Sequence, residues 1–305
     1  MRLAHERFNA ILDSVSIPDP SPVPAMNPER IPPTPIAAAS DRELRAWRWI
    51  GHHLPLLPHA SAVINRVLKP WYLRRPRPLV IADVDGFELE LDPSECVDGN
   101  LLFLPQLTDR PERNFLTAFL KPGDTFVDVG ANIGFYSLLA GRAVGPTGTV
   151  LAIEADPRTA EILIRHLQRN GFLAAQVVQF GVSDQICTLQ LNRNTLGNRG
   201  GNSFLYGDPS SRVAVACKPL LTILDEAQLR TVSCLKIDIE GFEYRVLAKF
   251  FADAPQSLWP RAMLMEYVAI HDQATGGSSL ELARSLGYRI ELRTTSNVVL
   301  TRPGA

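Results

Sequence analysis

At 305 residues and 46% apolar side chains, the chain can bury a full hydrophobic core, either as one large domain with extensions or as two small ones. A formal net charge of -1 carries no polyanion signature, so nucleic acid is not an expected partner. No apolar run reaches membrane length, and Met1 to Val15 mixes charges with apolar residues where a signal peptide would be apolar, so a cytoplasmic protein without a membrane span is expected.

An amphipathic N-terminal helix is predicted ahead of Ile17 to Ile36, where eight prolines forbid a helix or packed sheet and leave an extended linker. Ser40 is placed to cap a helix over Asp41 to Leu54, whose Leu44, Trp47 and Trp49 or Ile50 recur at helical spacing for docking. Arg66 to Pro78 gathers five basic residues around Trp71 and Tyr72 without an acid. It reads as a solvated basic linker, with contact to an anionic glycan, headgroup or nucleic acid as the alternative. Leu79 to Asp92 alternates about Asp85 and Gly86, the signal of a β-hairpin with a two-residue turn, here an accessory layer. The organisation expected is an N-terminal helix and linker over 1–40, an accessory helix and hairpin region over 41–120, and the main domain over 121–305.

The main domain opens on TFVDVGANIG, Thr125 to Gly134. Phe126, Val127 and Val129 suit a buried parallel strand, and Gly130 and Gly134 allow a tight turn and close approach to a ligand. The spacing is DxGxxxG, without the GxGxxG that surrounds a pyrophosphate with amides. Asp128 would repel phosphates and attract an ammonium or sulfonium, which fits S-adenosylmethionine. The next strand ends at Glu154, twenty residues after Gly134, where a carboxylate can accept both ribose hydroxyls. Asp156, followed by Pro157, reads instead as a helix cap.

Further strands are predicted near 176–180, 233–239, 261–267, 288–294 and 297–301, joining 125–129 and 149–153. The last two are too close for a helical crossover and must pair antiparallel. The fold class expected is α/β: a Rossmann-like, mostly parallel seven-stranded sheet with helices on both faces, the class I methyltransferase architecture. In CLKIDIE, Lys236, Asp238 and Glu240 alternate with apolar residues and fall on one face, which should open into a cleft at the strand's carboxyl end. An internal Lys–carboxylate network is the alternative. Arg193 to Ser211, rich in Gly, Asn and Ser, reads either as an irregular lid that recognises the acceptor, with Phe204 and Tyr206 as stacking faces, or as a disordered surface loop. Cys96, Cys187, Cys217 and Cys234 are widely separated, without CxxC or a zinc-type histidine spacing, and read as four reduced thiols.

TFVDVGANIGFYSL, AIEADP, HLQRNG, FGVSD, LLTILDE, LKIDIEGFEYRVL and LMEY follow in an order and spacing that resembles FkbM-type methyltransferases, over roughly Leu79 to Arg302. The resemblance implies S-adenosylmethionine as donor, O-methylation as the reaction, and a sugar or other hydroxyl-bearing small molecule as acceptor. It further implies that Asp128, Gly130, Asn132 and Gly134 bind the methionine part, Glu154 the ribose, and Ser183 with Asp184 the adenine. Lys236, Asp238, Glu240 and Glu243 match its second signature, without settled individual roles. Candidate bases are Asp238 and Glu240, then Glu266 at the end of the next strand and His271 in the loop beyond. A divalent metal on Asp238, Glu240 and Glu266 is possible but not expected, since nothing in the spacing demands it. The rival readings are a nicotinamide-dependent oxidoreductase, which would want GxGxxG, and a non-catalytic cofactor-binding or interaction protein on the same fold. The acceptor's identity, O- against N-methylation and the oligomeric state are not legible in the sequence.

Overall fold

A computed structural model describes residues 36–38, 44–46, 48–49, 69–75, 77–194, 197–207, 209–267 and 275–304, with the backbone alone for 36–38 and 209. The expectations for the amphipathic N-terminal helix, the proline-rich linker and His271 lie outside the described residues.

β1 (Ile36–Ala38) lies within the stretch expected to be helix and linker, and residues 41–120 contain α1 (Lys69–Tyr72), β2 (Leu79–Val84), β3 (Phe87–Leu91), α2 (Cys96–Phe103) and α3 (Arg110–Phe119). β2 and β3 form the expected hairpin, and Asp85 and Gly86 both take positive φ, 54° and 82°, as a two-residue turn matched to strand twist requires. The main domain runs β4 (Thr125–Val129), α4 (Phe135–Val144), β5 (Thr149–Ile153), α5 (Pro157–Arg169), β6 (Gln176–Val178), β7 (Gly181–Ser183), β8 (Cys187–Asn192), β9 (Arg212–Pro219) and α6 (Leu220–Glu226). It continues through β10 (Cys234–Ile237), α7 (Glu243–Asp253), β11 (Ala262–Glu266), α8 (Ser279–Ser285), β12 (Arg289–Arg293) and β13 (Asn297–Thr301).

Seven strands pair in the order β12-β13-β11-β10-β4-β5-β6. β13 runs antiparallel to both neighbours, and the pairings from β11 through β6 are parallel. The chain steps outward from β4 to β6 and returns to the other side of β4 with β10, so the strand order reverses between β4 and β10. Ligands of open α/β sheets bind at the carboxyl ends of the strands beside such a reversal. A second sheet, β7-β9-β8, was not anticipated. Its short strands expose alternate residues and lack the continuous apolar runs that mark buried parallel strands.

The two-residue period of β4 divides the core. Phe126 joins one cluster with α4 and with Leu44, Tyr72, Leu89 and Leu101 of the accessory region, whereas Val127 and Val129 join the other with Leu235, Ile237, Val246 and Phe250. Each such fully buried side chain stabilises the fold by about 1.5–3 kcal/mol. Residues 44–46 and 48–49 are helical; Leu44 is buried, whereas Trp49 is 63% exposed, and Ser40, Trp47 and Ile50 lie outside the described residues. Tyr72 of the basic run is likewise core, with Arg77 stacked 4.0 Å over its ring, so this stretch is not a wholly solvated linker.

His166 of α5 ties the two regions together. It is fully buried; the Glu90 backbone N–H donates to Nε2 at 2.9 Å, which leaves the ring proton on Nδ1 to donate to Ile133 O at 2.8 Å. Burial pulls its pKa down to about 4, the two backbone contacts opposing. Between that value and the ordinary 6.5 the unfolded chain binds a proton that the folded protein refuses. The contribution is therefore complete above pH 6.5 and is lost as the pH falls toward 4, about 3 kcal/mol in all. Urea denaturation at pH 7.5, 5.5 and 4.5 should show this loss in the wild type, and His166→Gln should flatten that part of the slope. An unchanged slope in the variant would place the titration elsewhere.

Candidate active site

β4 ends in a left-handed turn: Gly130, Asn132 and Gly134 have φ of 76°, 51° and 86°. The Gly130 and Ala131 N–H groups both donate to Ile153 O, at 2.9 and 3.0 Å, which draws the loop across the end of β5. A Cβ on Gly130 would lie 1.9 Å from Asp238 O, so only glycine lets β10's carboxyl end pass this close. The loop then presents the Asn132 N–H to Glu154 Oε2 at 2.8 Å, while the Asp156 N–H donates to Oε1 at 2.9 Å. Burial raises the Glu154 pKa to about 7 against these two bonds.

These elements enclose a cleft of about 270 Å³. One end is apolar, with Ala155, Phe180, Val182 and Leu191; the other carries Asp109, Asp238, Glu240 and Glu266 around Lys236 and Tyr136. Lys236 Nζ donates to Asp238 Oδ2 at 3.1 Å and stands 3.8 Å from Asp128 Oδ1. Burial works to lower the lysine pKa, but Asp238 and Asp128 outweigh it and hold the ammonium above its ordinary value. Burial and the Asp238 charge raise Glu240 to about 7; burial, then Asp238, Glu240 and Glu243, raise Glu266 to about 9. Among the described residues, one oxygen each from Asp238, Glu240 and Glu266 lies within 4.8 Å of the others, close enough to converge on a cation. Lys236 is the positive charge already resident there.

Gly130, Asn132, Glu154, Lys236, Asp238, Glu240 and Glu266 thus meet in one cleft, as the sequence led us to expect. Four other candidates do not line this cleft. Asp128 pairs in register with Lys236 and is buried behind it, one oxygen accepting from Ser137 Oγ at 2.7 Å, so it steadies the lysine and does not line the cleft. Gly134 begins α4, and a Cβ there would meet Leu163 Cδ1 at 2.3 Å; it serves helix packing. Ser183 is buried and donates to Asp184 Oδ1 at 3.0 Å, and Asp184 Oδ2 accepts from Arg245 at 2.7 Å. Neither lines the cleft; Phe180 and Val182 do. Strand β10 stops at Ile237, so Asp238 and Glu240 project from the turn beyond it and not from a strand face. Glu243 also turns inward: it is buried and accepts from the Ile239 and Gly241 N–H groups, holding that turn.

The polar segment after β8 is a braced wall. Arg193 donates to both Asp156 oxygens, at 2.9 and 2.5 Å, and Asn202 Nδ2 to Asp156 Oδ2 at 3.1 Å, while Asp156 also caps α5 through the Arg158 N–H. Arg199 forms an ion pair with buried Asp98, and Ser203 Oγ donates to Glu240 O at 2.8 Å. Asn198, Arg199, Gly200, Asn202 and Phe204 line the cleft; the Phe204 ring packs 5.5 Å from Phe242. Tyr206 is exposed and does not line it, so the expected pair of stacking faces reduces to one. Sequence reasoning missed Asp109, Tyr136 and Thr159 as lining residues. Tyr136 alone carried a signal, its place next to the glycine loop.

The cleft suits S-adenosylmethionine on its own evidence. Asn132 Oδ1 and Thr159 Oγ1 line it, are buried, and find no hydrogen-bond partner among the described residues, so they await polar groups of a ligand. Among the described lining residues the two cations, Lys236 and Arg199, are paired to Asp238 and Asp98, so neither is left to hold a pyrophosphate. Reversed strand order and antiparallel β13 are the arrangement of the class I methyltransferase fold, and the cleft lies at the carboxyl ends of its central strands.

Comparison with known proteins gives the family. The model of the methyltransferase FkbM domain matches residues 128–290, more than half of the chain. The 31-O-demethyl-FK506 methyltransferase FkbM of Streptomyces tacrolimicus is 28% identical over 202 residues, spanning 56% of this chain and 75% of that protein. A protein-L-isoaspartate O-methyltransferase from Aeropyrum pernix is 26% identical over 151 residues, spanning 45% and 56%. The solved structure of methyltransferase FkbM from Methylobacillus flagellatus KT is 16% identical, with a TM-score of 0.39, covering 80% of this chain and 60% of that one. The chain belongs to the FkbM methyltransferase family. Among the described residues no helix is long and apolar enough to cross a membrane.

Proposed function

We propose that the protein transfers a methyl group to a hydroxyl of a sugar or other small natural-product acceptor, with Glu240 as the base. The observation that carries this reading is the Glu240 carboxylate itself. It lines the cleft, its pKa is raised to about 7, and no bond to it is found among the described residues, whereas Asp238 is held by Lys236. A base with a pKa near the working pH has both the right protonation state and the driving force to take a hydroxyl proton. Glu240 sits at φ 52° beside Gly241 at 107°, a turn conformation that a side chain adopts only under constraint. Glu243 supplies that constraint from below by accepting the flanking N–H groups.

S-adenosylmethionine, when bound, supplies an electrophilic methyl on a positive sulfur. Glu154, oriented by Asn132 and Asp156, is placed to accept the ribose hydroxyls, and the apolar end with Ala155, Phe180 and Val182 to receive the base. Asn132 and Gly130 face the middle of the cleft. Glu266, protonated at neutral pH, donates a hydrogen bond toward the acceptor, and Lys236 pairs with Asp238 beside it. Positioning of this kind supplies roughly 7–11 kcal/mol of the barrier reduction, more than the base contributes. Both sequence relatives carry names that bear on O-methyl chemistry, which supports oxygen as the atom modified.

Release of S-adenosylhomocysteine should be measured over parallel panels of polyhydroxylated and macrolide alcohols, amines, and carboxylic acids. Turnover with alcohols is expected. Turnover confined to amines or acids would contradict the reading.

A further inference from the structure

Cys187 and Cys217 are 30 residues apart in sequence, yet they stand directly opposite each other on the antiparallel strands β8 and β9. Opposed residues of an antiparallel pair have Cα atoms about 4.5–5.5 Å apart and side chains on the same face, which falls within the window a disulfide needs. Cys187 is half-buried and Cys217 buried, both on the inward face with Leu189, Leu191, Val213 and Val215. The Cys217 thiol donates a hydrogen bond to the Cys187 thiolate and brings that thiol down to about 7, although burial opposes this. One member of the pair is thus a reachable nucleophile and the other a sheltered partner that faces it. The other two thiols lack this arrangement: Cys96 is exposed on α2, and Cys234 is buried in the central sheet.

We propose that Cys187 and Cys217 form a dithiol/disulfide site, oxidised by a small diffusible disulfide. The Cys187 thiolate attacks one sulfur of that molecule and expels a thiolate, leaving a mixed disulfide. The Cys217 sulfur then attacks the Cys187 sulfur, giving its proton to solvent and expelling the second thiolate. Two electrons pass from the protein pair to the reagent, which leaves as two thiols. The bond closes the base of the β8–β9 pair, and the residues between these strands include Asn198, Arg199, Gly200, Asn202 and Phe204 of the cleft. Cys217 Sγ packs over Gly181 beside the Phe204 ring, where a Cβ on Gly181 would meet them at 2.5 and 2.7 Å, so the oxidised pair borders a cleft-lining side chain.

The full-length protein should be treated with oxidised glutathione at pH 7.5, blocked with an alkylating reagent, and mapped by non-reducing peptide mass spectrometry. The expected result is a Cys187–Cys217 linked peptide, with Cys234 alkylated after unfolding and both linked thiols recovered by dithiothreitol. In Cys217→Ser the reaction should stop at a glutathione adduct on Cys187. Wild-type protein that keeps both thiols free, or that stops at the Cys187 adduct with Cys217 still alkylable, would overturn the proposal.

Discussion

Gly130→Ala should destabilise the protein by about 2–5 kcal/mol, and Gly171→Ala by much less. Both positions have positive φ, 76° and 79°, so both substitutions carry the left-handed penalty of roughly 1–2 kcal/mol. At Gly171 a Cβ meets nothing within 4 Å; at Gly130 it meets Asp238 O at 1.9 Å, and that atom is backbone, which cannot swing away. Overpacking of this kind typically adds 1–3 kcal/mol. Relief requires the β4–α4 loop and the turn after β10 to separate, and these carry Asn132, Asp238 and Glu240. Gly130→Ala should therefore also lose cofactor affinity where Gly171→Ala keeps it. Chemical denaturation of the two variants checks the order, and equal losses would mean that the close passage of the two turns is not what glycine serves here.

Glu240→Gln should lower kcat by about 10²–10⁴-fold while leaving affinity for S-adenosylhomocysteine within about twofold, because the change removes a proton acceptor and little volume. In the wild type kcat should rise with pH through about 7 and level off, as burial and the Asp238 charge place the Glu240 ionisation there. In the variant that rise should disappear. Asp238→Asn should behave differently: it removes the partner of a buried ammonium, leaving Lys236 with Asp128 3.8 Å away, so stability and cofactor affinity should fall along with turnover. Stopped-assay rates from pH 6 to 9 for the two variants separate the roles. A Glu240→Gln enzyme that keeps its rate within tenfold would move the base elsewhere.

Local signals were well expressed in the sequence. β4, β5 and β13 begin and end where their apolar runs do, and the hairpin turn at Asp85–Gly86 follows from residues that tolerate positive φ. Glu154 was legible from its distance to the glycine loop, and Asp156 from the proline after it. The place of Asp128 behind Lys236 was not legible, because it depends on the register of β4 against β10. The adenine assignment to Ser183 and Asp184 rested on resemblance, and the ion pair from Asp184 to Arg245, 61 residues away, claims that side chain. The wall is illegible for the same reason: its braces join Arg193 to Asp156 and Arg199 to Asp98 across 37 and 101 residues, and composition alone reads such a segment as an irregular lid. The pairing of Cys187 with Cys217 likewise appears only once β8 and β9 are in register.

The central claim, that the Glu154 cleft holds S-adenosylmethionine, is tested most directly by calorimetric titration with S-adenosylhomocysteine, and separately with NAD, on the wild type and Glu154→Ala. The predicted result is binding of S-adenosylhomocysteine alone, weakened tenfold or more by the substitution, which removes a charged acceptor worth about 1.5–3 kcal/mol per bond. Undiminished affinity in Glu154→Ala, or a preference for NAD, would contradict the account.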